Sequence, residues 1–80
     1  MSPKQIKRIV DEQPFRPLKF SFSNGATEVL KHPENLIIGA SWLIFAKIPE
    51  GQEFPEYTDN YSILHLVNIA PAEAPYPSRN

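Results

Sequence analysis

Residues 18–29 read LKFSFSNGATEV, and this stretch decides the fold. Its first half alternates apolar and polar side chains, and this period of two predicts a strand with one buried face. Asn24-Gly25 follows directly, a pair that favours the type I′ turn of a two-residue β-hairpin. We therefore predict a hairpin whose register places Phe20 opposite Val29.

The chain before this hairpin carries the signals of a short helix. Ser2 is placed to cap it, Pro3 suits the first helical position, and Gln5 completes a capping box. A narrow apolar stripe at helical spacing follows, made of Ile6, Ile9 and Val10. Pro14 predicts that the helix ends near Gln13.

The chain after the hairpin predicts further short strands. We expect strands at Leu36–Ile38, Trp42–Ile48 and Tyr61–Val67, with a short last strand at Asn68–Pro71. Pro49–Asn60 is rich in turn residues and acids, which predicts a solvated loop. Since the two longer strands are apolar on both faces, we expect both of their faces to be covered.

This order of elements predicts a mainly β protein with one N-terminal helix. A small, strongly bent, five-stranded barrel of the SH3-like or Sm-like kind fits about five short strands. An α+β roll stays open as the alternative. We expect residues 1–73 to form a single globular domain, and residues 74–80 to be a disordered tail.

Composition bounds the class of protein. The chain has 80 residues, of which 41% are hydrophobic, and a net charge of −1, as in an ordinary globular domain. The absence of cysteine excludes disulfides and thiolate metal sites. No targeting signal is recognisable, and the longest nearly apolar stretch, Leu36–Ala46, is too short to span a bilayer as a helix. We expect a cytoplasmic protein with no membrane association.

No residue constellation predicts catalysis. The sequence has no Gly-x-Ser-x-Gly elbow and no glycine-rich phosphate loop, so we expect neither an enzyme nor a cofactor. His32, Glu34 and His65 are the conceivable metal ligands, but His32-Pro33-Glu34 is more typical of turn chemistry. We therefore predict no metal site.

Positive charge gathers in the first part of the chain. Residues 1–31 hold six Lys and Arg against three acids, whereas residues 32–80 hold two against six. Arg16, Lys19 and Lys31 form a possible basic patch. Because small bent barrels often bind RNA, an Sm-like nucleic-acid-binding protein is the alternative function.

Association with other protein is the function that the sequence favours. One short helix cannot cover both faces of the later strands, so some apolar side chains need another partner. The predicted interaction surface consists of Phe45, Leu64 and Leu66. A two-fold homodimer through a sheet face or an edge strand would cover it. Alternatively, Phe54 or Tyr57 folds back with the loop as a lid.

The chain also resembles a family of short bacterial proteins of uncharacterised function. The family pattern is a leading helix, a Pro-Phe-Arg-Pro-Phe run, an Asp-Gly turn, a His-Pro pair and a closing apolar strand. The matching residues are Pro14-Phe15-Arg16-Pro17-Leu18, Asn24-Gly25, His32-Pro33-Glu34 and Leu64-His65-Leu66. Leu18 and Asn24 depart from the usual Phe and Asp. The resemblance implies no activity and no catalytic residues.

Overall fold

The structure is a computed structural model, and it describes residues 1–72. Helix α1 is followed by six strands and two short 3₁₀ turns. The elements are α1 (Pro3–Val10), β1 (Leu18–Phe22), β2 (Thr27–Leu30), a turn (Pro33–Asn35), β3 (Leu36–Ile38), β4 (Trp42–Lys47), β5 (Tyr57–Ser62), a turn (Ile63–His65) and β6 (Leu66–Pro71). The predicted tail, residues 74–80, lies outside the described residues.

The six strands form two three-stranded antiparallel sheets. Sheet A has the order β2-β1-β6, and sheet B has the order β3-β4-β5. The mainly β architecture with one N-terminal helix is therefore confirmed. The closed five-stranded barrel is wrong, because in the described part no strand of sheet A pairs with a strand of sheet B.

The predicted strand Tyr61–Val67 is broken by the 3₁₀ turn Ile63–His65, which explains the separation of the sheets. Ser62 starts the turn, since its Oγ accepts a hydrogen bond from the Leu64 N–H at 3.2 Å. The turn carries the chain from β5 in sheet B to β6 in sheet A, so no strand continues from one sheet into the other.

The same turn decides which apolar side chains face inward. Residues three apart share one side of a 3₁₀ turn, and Ile63 and Leu66 are accordingly buried. Leu64 lies on the opposite side and is 90% exposed. The alternation of an unbroken strand would have placed Leu64 and Leu66 on one face.

The other strand predictions are correct to within a few residues. Leu36–Ile38 is confirmed, and β4 ends at Lys47, one residue earlier than expected. The predicted loop at Pro49–Asn60 is too long, because β5 begins at Tyr57 and pairs with β4 from there.

The start of the helix follows the sequence signals. The Ser2 Oγ accepts a hydrogen bond from the Gln5 N–H at 3.2 Å, and the Gln5 Oε1 accepts one from the Ser2 N–H at 2.8 Å. The helix ends at Val10, before the expected Gln13, with Asp11 as its C-cap. Ile6 and Val10 are buried, so the predicted stripe packs into the core.

The hairpin between β1 and β2 differs from the prediction by one residue. The Gly25 N–H donates to the Phe22 carbonyl and the Phe22 N–H donates to the Ala26 carbonyl, both at 2.9 Å. The loop therefore has three residues, with Gly25 at a φ of +90°. The Asn24 side chain accepts a hydrogen bond from the Ala26 N–H at 2.9 Å, which stabilises the longer loop.

In this register, the side chains of β2 that were predicted to face the core face solvent, and the others face the core. Phe20 lies opposite Glu28 instead of Val29, and Leu18 lies opposite Leu30. A shift of one residue moves every side chain of a strand to the other face. Leu30 and Glu28 are therefore buried, whereas Val29 is 44% exposed.

The core lies between the two sheets and is covered at one side by α1. Phe45 contacts Phe20 edge-to-face, with ring centroids 5.1 Å apart, and Phe22 stacks on Tyr61 at 4.0 Å. The buried apolar residues are Ile6, Val10, Phe20, Phe22, Leu30, Leu36, Leu43, Phe45, Ile63 and Leu66.

The register of the hairpin has a direct test. Leu30→Ala should lower the free energy of unfolding by about 2–5 kcal/mol, because it opens a cavity in the core. Val29→Thr should change it by about 0.5 kcal/mol or less, since Val29 lies at the surface. Urea denaturation of both variants provides the measurement. A larger loss for Val29→Thr than for Leu30→Ala would support the two-residue turn instead.

Candidate interaction surface

One face of sheet B is not covered by the described part of the chain. Along its strands, alternate side chains point away from the core, and the pairings Ile37–Ile44–Asn60, Trp42–Ser62 and Ala46–Thr58 align them across the sheet. We call this surface the outer face of sheet B. It consists of Ile37, Trp42, Ile44, Ala46, Thr58, Asn60 and Ser62. None of these side chains is charged.

Two large apolar side chains of the outer face of sheet B are exposed to solvent. Ile37 is 57% exposed and Trp42 is 43% exposed, while Ile44 and Ala46 on the same face are half-buried. Contiguous exposed apolar side chains with polar neighbours are typical of interaction sites. The outer face of sheet B is therefore the strongest candidate surface.

The position of Trp42 depends on Gly39. The Gly39 N–H donates to the Trp42 carbonyl at 2.8 Å, which closes the turn between β3 and β4. A Cβ built on Gly39 would lie 2.4 Å from Cε2 of the indole, with two more ring atoms at 2.5 and 2.6 Å. The ring thus packs directly against the glycine backbone, where any larger residue would displace it.

The structure does not bring the predicted interaction surface together. Phe45 is 2% exposed and Leu66 is 8% exposed, and both belong to the core. Leu64 alone lies at the surface. The alternative of a lid is not formed either, because Phe54 is 72% exposed and Tyr57 is 56% exposed. Sequence periodicity missed the outer face of sheet B because it could not show which face of β4 packs inward.

The predicted basic patch lies on sheet A. Arg16, Lys19 and Lys31 are all exposed, and Lys19 pairs with Val29 on the surface that faces away from the core. Because Leu18 pairs with Leu30, the three cations lie at the same end of sheet A. The nucleic-acid hypothesis rested on analogy with a closed barrel, and the open arrangement of the sheets removes that support.

The histidines take part in local contacts. His65 Nδ1 lies 3.2 Å from the Ser23 Oγ, and His32 precedes the first 3₁₀ turn. Within residues 1–72, no three His, Cys, Asp or Glu side chains are close enough to hold a metal ion.

A partly buried polar cluster joins sheet A to sheet B. Glu28 of β2 is 5% exposed, and its Oε1 lies 2.5 Å from Lys47 Nζ. Its Oε2 accepts a hydrogen bond from the Tyr61 hydroxyl at 2.6 Å. Asp59 Oδ2 lies 4.0 Å from Lys47 Nζ. The sequence prediction missed this cluster because the assumed register placed Glu28 in solvent.

The cluster alters the pKa values of its members. Burial alone would raise the pKa of Glu28, but hydrogen bonds to Lys47, Tyr61 and Asp59 outweigh it and lower that pKa. The hydrogen bond to Glu28 raises the pKa of Lys47, and a hydrogen bond to Glu28 also raises the pKa of Asp59. Burial, together with the bond to Glu28, raises the pKa of Tyr61.

These shifts describe a structural ion pair. Since the pKa of Lys47 is raised, its amine stays protonated at neutral pH and is not available as a nucleophile. An open cleft of about 630 Å³ lies beside Lys47, lined by residues 29–32, Asn35 and residues 45–53. Of the polar cluster around Glu28, Lys47 alone lines the cleft, and its ammonium group already donates a hydrogen bond to Glu28.

Comparisons with protein-family models, curated proteins and solved structures gave no match. The resemblance to the bacterial family therefore stays a prediction. No helix in residues 1–72 is long and apolar enough to cross a membrane.

Gly39→Ala tests how Trp42 is held. The added methyl group would overlap the indole, so the ring must move outward, at a cost of about 1–3 kcal/mol in the free energy of unfolding. Trp42 is the only tryptophan, so its fluorescence emission should shift to longer wavelength. Ala40→Ser, at the neighbouring exposed position, serves as the control. Unchanged emission in Gly39→Ala would show that the ring is not fixed by this contact.

Stability should depend on pH through the Glu28–Lys47 pair. The pKa of Glu28 is below its ordinary value of 4.5 in the folded protein, so its charge stabilises the fold above that value. This contribution is lost as the pH falls through the lowered pKa. The pKa of Lys47 is above 10.5, so its contribution is present below that pH and is lost as the pH rises further. The raised pKa of Asp59 opposes part of the acid loss, because the folded protein binds that proton more tightly.

Glu28→Gln removes the charge and leaves Lys47 with only the more distant carboxylate of Asp59. We expect a loss of about 1–3 kcal/mol at neutral pH, since Lys47 is partly solvated, and a flatter dependence of stability on acid pH. Urea unfolding over a pH series measures both effects, with the exposed Glu34→Gln as the control. Parallel pH profiles for wild type and Glu28→Gln would contradict this assignment.

Proposed function

We propose that this protein is a protein-interaction module that self-associates, with sheet B as the interacting part of the fold. The observation that carries the proposal is the outer face of sheet B, which is exposed, uncharged and centred on Trp42 and Ile37. An apolar, uncharged surface on another protein chain is the partner that this chemistry fits. A charged partner would lose hydration there without gaining an ion pair.

The absence of charge also suits a second copy of the chain. In a two-fold assembly each surface meets the same residues of its partner, so charged side chains near the axis would repel their own copies. The outer face of sheet B has none. The exposed cations of sheet A, among them Lys19 and Lys31, make that sheet less suitable for a symmetric contact.

The size of the outer face of sheet B limits how strongly it binds by itself. Three strands about 4.8 Å apart and six residues at about 3.3 Å each give a face of at most about 280 Å². A stable interface covers about 800 Å² on each partner. We therefore expect a reversible association that depends on protein concentration.

Sedimentation velocity from micromolar to millimolar concentration tests self-association. The expected result is a weight-average mass that rises from that of the monomer towards that of a dimer. A constant monomer mass over the whole range would sink the proposed function.

Dye binding tests the outer face of sheet B itself. Anilinonaphthalene sulfonate should bind near Trp42 and accept energy from it, which quenches the emission of the indole. Ile37→Thr should weaken dye binding several-fold, because it removes exposed apolar surface. Val29→Thr, which alters an exposed apolar residue of sheet A, should leave it unchanged. Equal effects of both variants would show that the dye does not report on this face.

A further inference from the structure

The outer edge of β5 carries backbone groups that have no strand beside them within residues 1–72. β5 is the last strand of sheet B and pairs only with β4. The Ile63 N–H donates to the Ser41 carbonyl at 3.0 Å, and the pairing continues in register from Trp42–Ser62. In an antiparallel ladder, hydrogen-bonded pairs alternate with non-bonded pairs. Tyr61 and Asp59 therefore bond to β4, and the N–H and C=O groups of the residues between them point outward.

The outward groups belong to Thr58, Asn60 and Ser62. Thr58 and Asn60 are exposed and Ser62 is half-buried, so this edge is open to solvent. Unpaired edges of this kind are templates for another strand, and proteins usually protect them.

The other edges of the two sheets carry such protection. The edge strand β2 holds an inward-pointing charge, Glu28, and β6 has an irregular pairing near Phe22 and ends at Pro71. The edge strand β3 has three residues. β5 has six residues, no proline and no lysine. β5 does carry one inward-pointing charge, Asp59. Among the edges in the described part of the chain, it is the longest one with neither proline, lysine nor an irregular pairing.

We propose that β5 pairs with β5 of a second copy, antiparallel about a two-fold axis at Asn60. This inference rests on the proposed function, and it places the contact between copies at the edge of sheet B, so that the outer face of sheet B stays open to a further apolar partner. The register follows from the outward groups: Asn60 lies opposite Asn60 of the second copy, and Thr58 lies opposite its Ser62. Asn60 exchanges two backbone hydrogen bonds with its copy, and each Ser62 N–H donates one to the Thr58 carbonyl of the other copy, about four in all. The Ser62 carbonyl already accepts the first hydrogen bond of the 3₁₀ turn Ile63–His65.

The side chains are compatible with this pairing. On the outer face of sheet B the facing pairs are Asn60 with Asn60 and Thr58 with Ser62, all uncharged hydrogen-bonding groups. On the inner side Asp59 faces Tyr61 of the second copy, so like charges are not directly opposite. The axis joins the two outer faces into one surface of about 560 Å² across six strands. The dimer thus doubles the docking surface that a single copy offers.

Asn60→Lys tests the pairing, because it sets two like charges opposite each other at the axis. The exposed position tolerates lysine in the monomer, so circular dichroism and thermal unfolding should remain unchanged. Dimer affinity measured by sedimentation velocity should fall by at least about tenfold. Thr27→Lys adds the same charge at an exposed position of sheet A and should leave dimerisation unchanged.

Crosslinking provides a second measurement. Because the chain has no cysteine, Asn60→Cys introduces a single thiol, about 5.5 Å from its copy in the proposed dimer. A short bismaleimide should link this variant into a covalent dimer rapidly, and Thr27→Cys much more slowly.

The outcomes separate the two proposals. If wild type dimerises while Asn60→Lys does so equally well, and Asn60→Cys crosslinks no faster than Thr27→Cys, pairing through β5 is wrong and self-association stands. If wild type stays monomeric at all concentrations, the proposed function fails and this inference fails with it.

Discussion

The buried carboxylate of Glu28 is the constraint on which the arrangement of the two sheets depends. An ionised group at 5% exposure is costly unless it is paired and hydrogen-bonded. Lys47 and Tyr61, both from sheet B, supply those partners. The contact therefore fixes β2 against β4 and β5 at a place where, within residues 1–72, no backbone hydrogen bonds join the two sheets. These side-chain hydrogen bonds hold the two sheets together, as backbone pairing between strands does in a closed barrel.

Because of this arrangement, one face of sheet B is buried in the core and the other is exposed to solvent. The inner face carries Leu43 and Phe45 into the core and places Lys47 beside Glu28. The outer face of sheet B is left with Trp42 and Ile37 in solvent. A single helix of eight residues packs into the core and does not extend over this surface. Residues 1–72 thus contain too few elements to cover both sides of sheet B, and these apolar residues remain exposed.

Local signals in the sequence predicted local structure well. The capping box at Ser2 and the alternation from Leu18 to Phe22 each specify a few neighbouring residues, and both appear in the structure. A turn also forms at Gly25, but its loop has three residues instead of the predicted two. The predictions failed where contacts between residues distant in the sequence determine the structure. Glu28 can be buried because Lys47 and Tyr61 lie beside it, and neither β propensity nor the spacing of apolar residues indicates those contacts.

The candidate site was predictable only in part for the same reason. The sequence indicated that the later strands are apolar on both faces, which is correct for β4. It could not show that Phe45 packs inward and Trp42 outward, because both faces of that strand carry similar side chains. The turn at Ser62 depends on one hydroxyl and interrupts a run that otherwise reads as a continuous strand.

The three-residue hairpin loop has a consequence for how this sequence can vary over evolution. Removing one residue from the loop would turn the buried face of β2 outward, so that Leu30 would face water and Glu28 would no longer reach Lys47. Adding or removing two residues would restore the original phase of the side chains. The loop can therefore change in length by two residues without reversing the faces of β2, but not by one. Selection should remove single-residue insertions and deletions in this loop first.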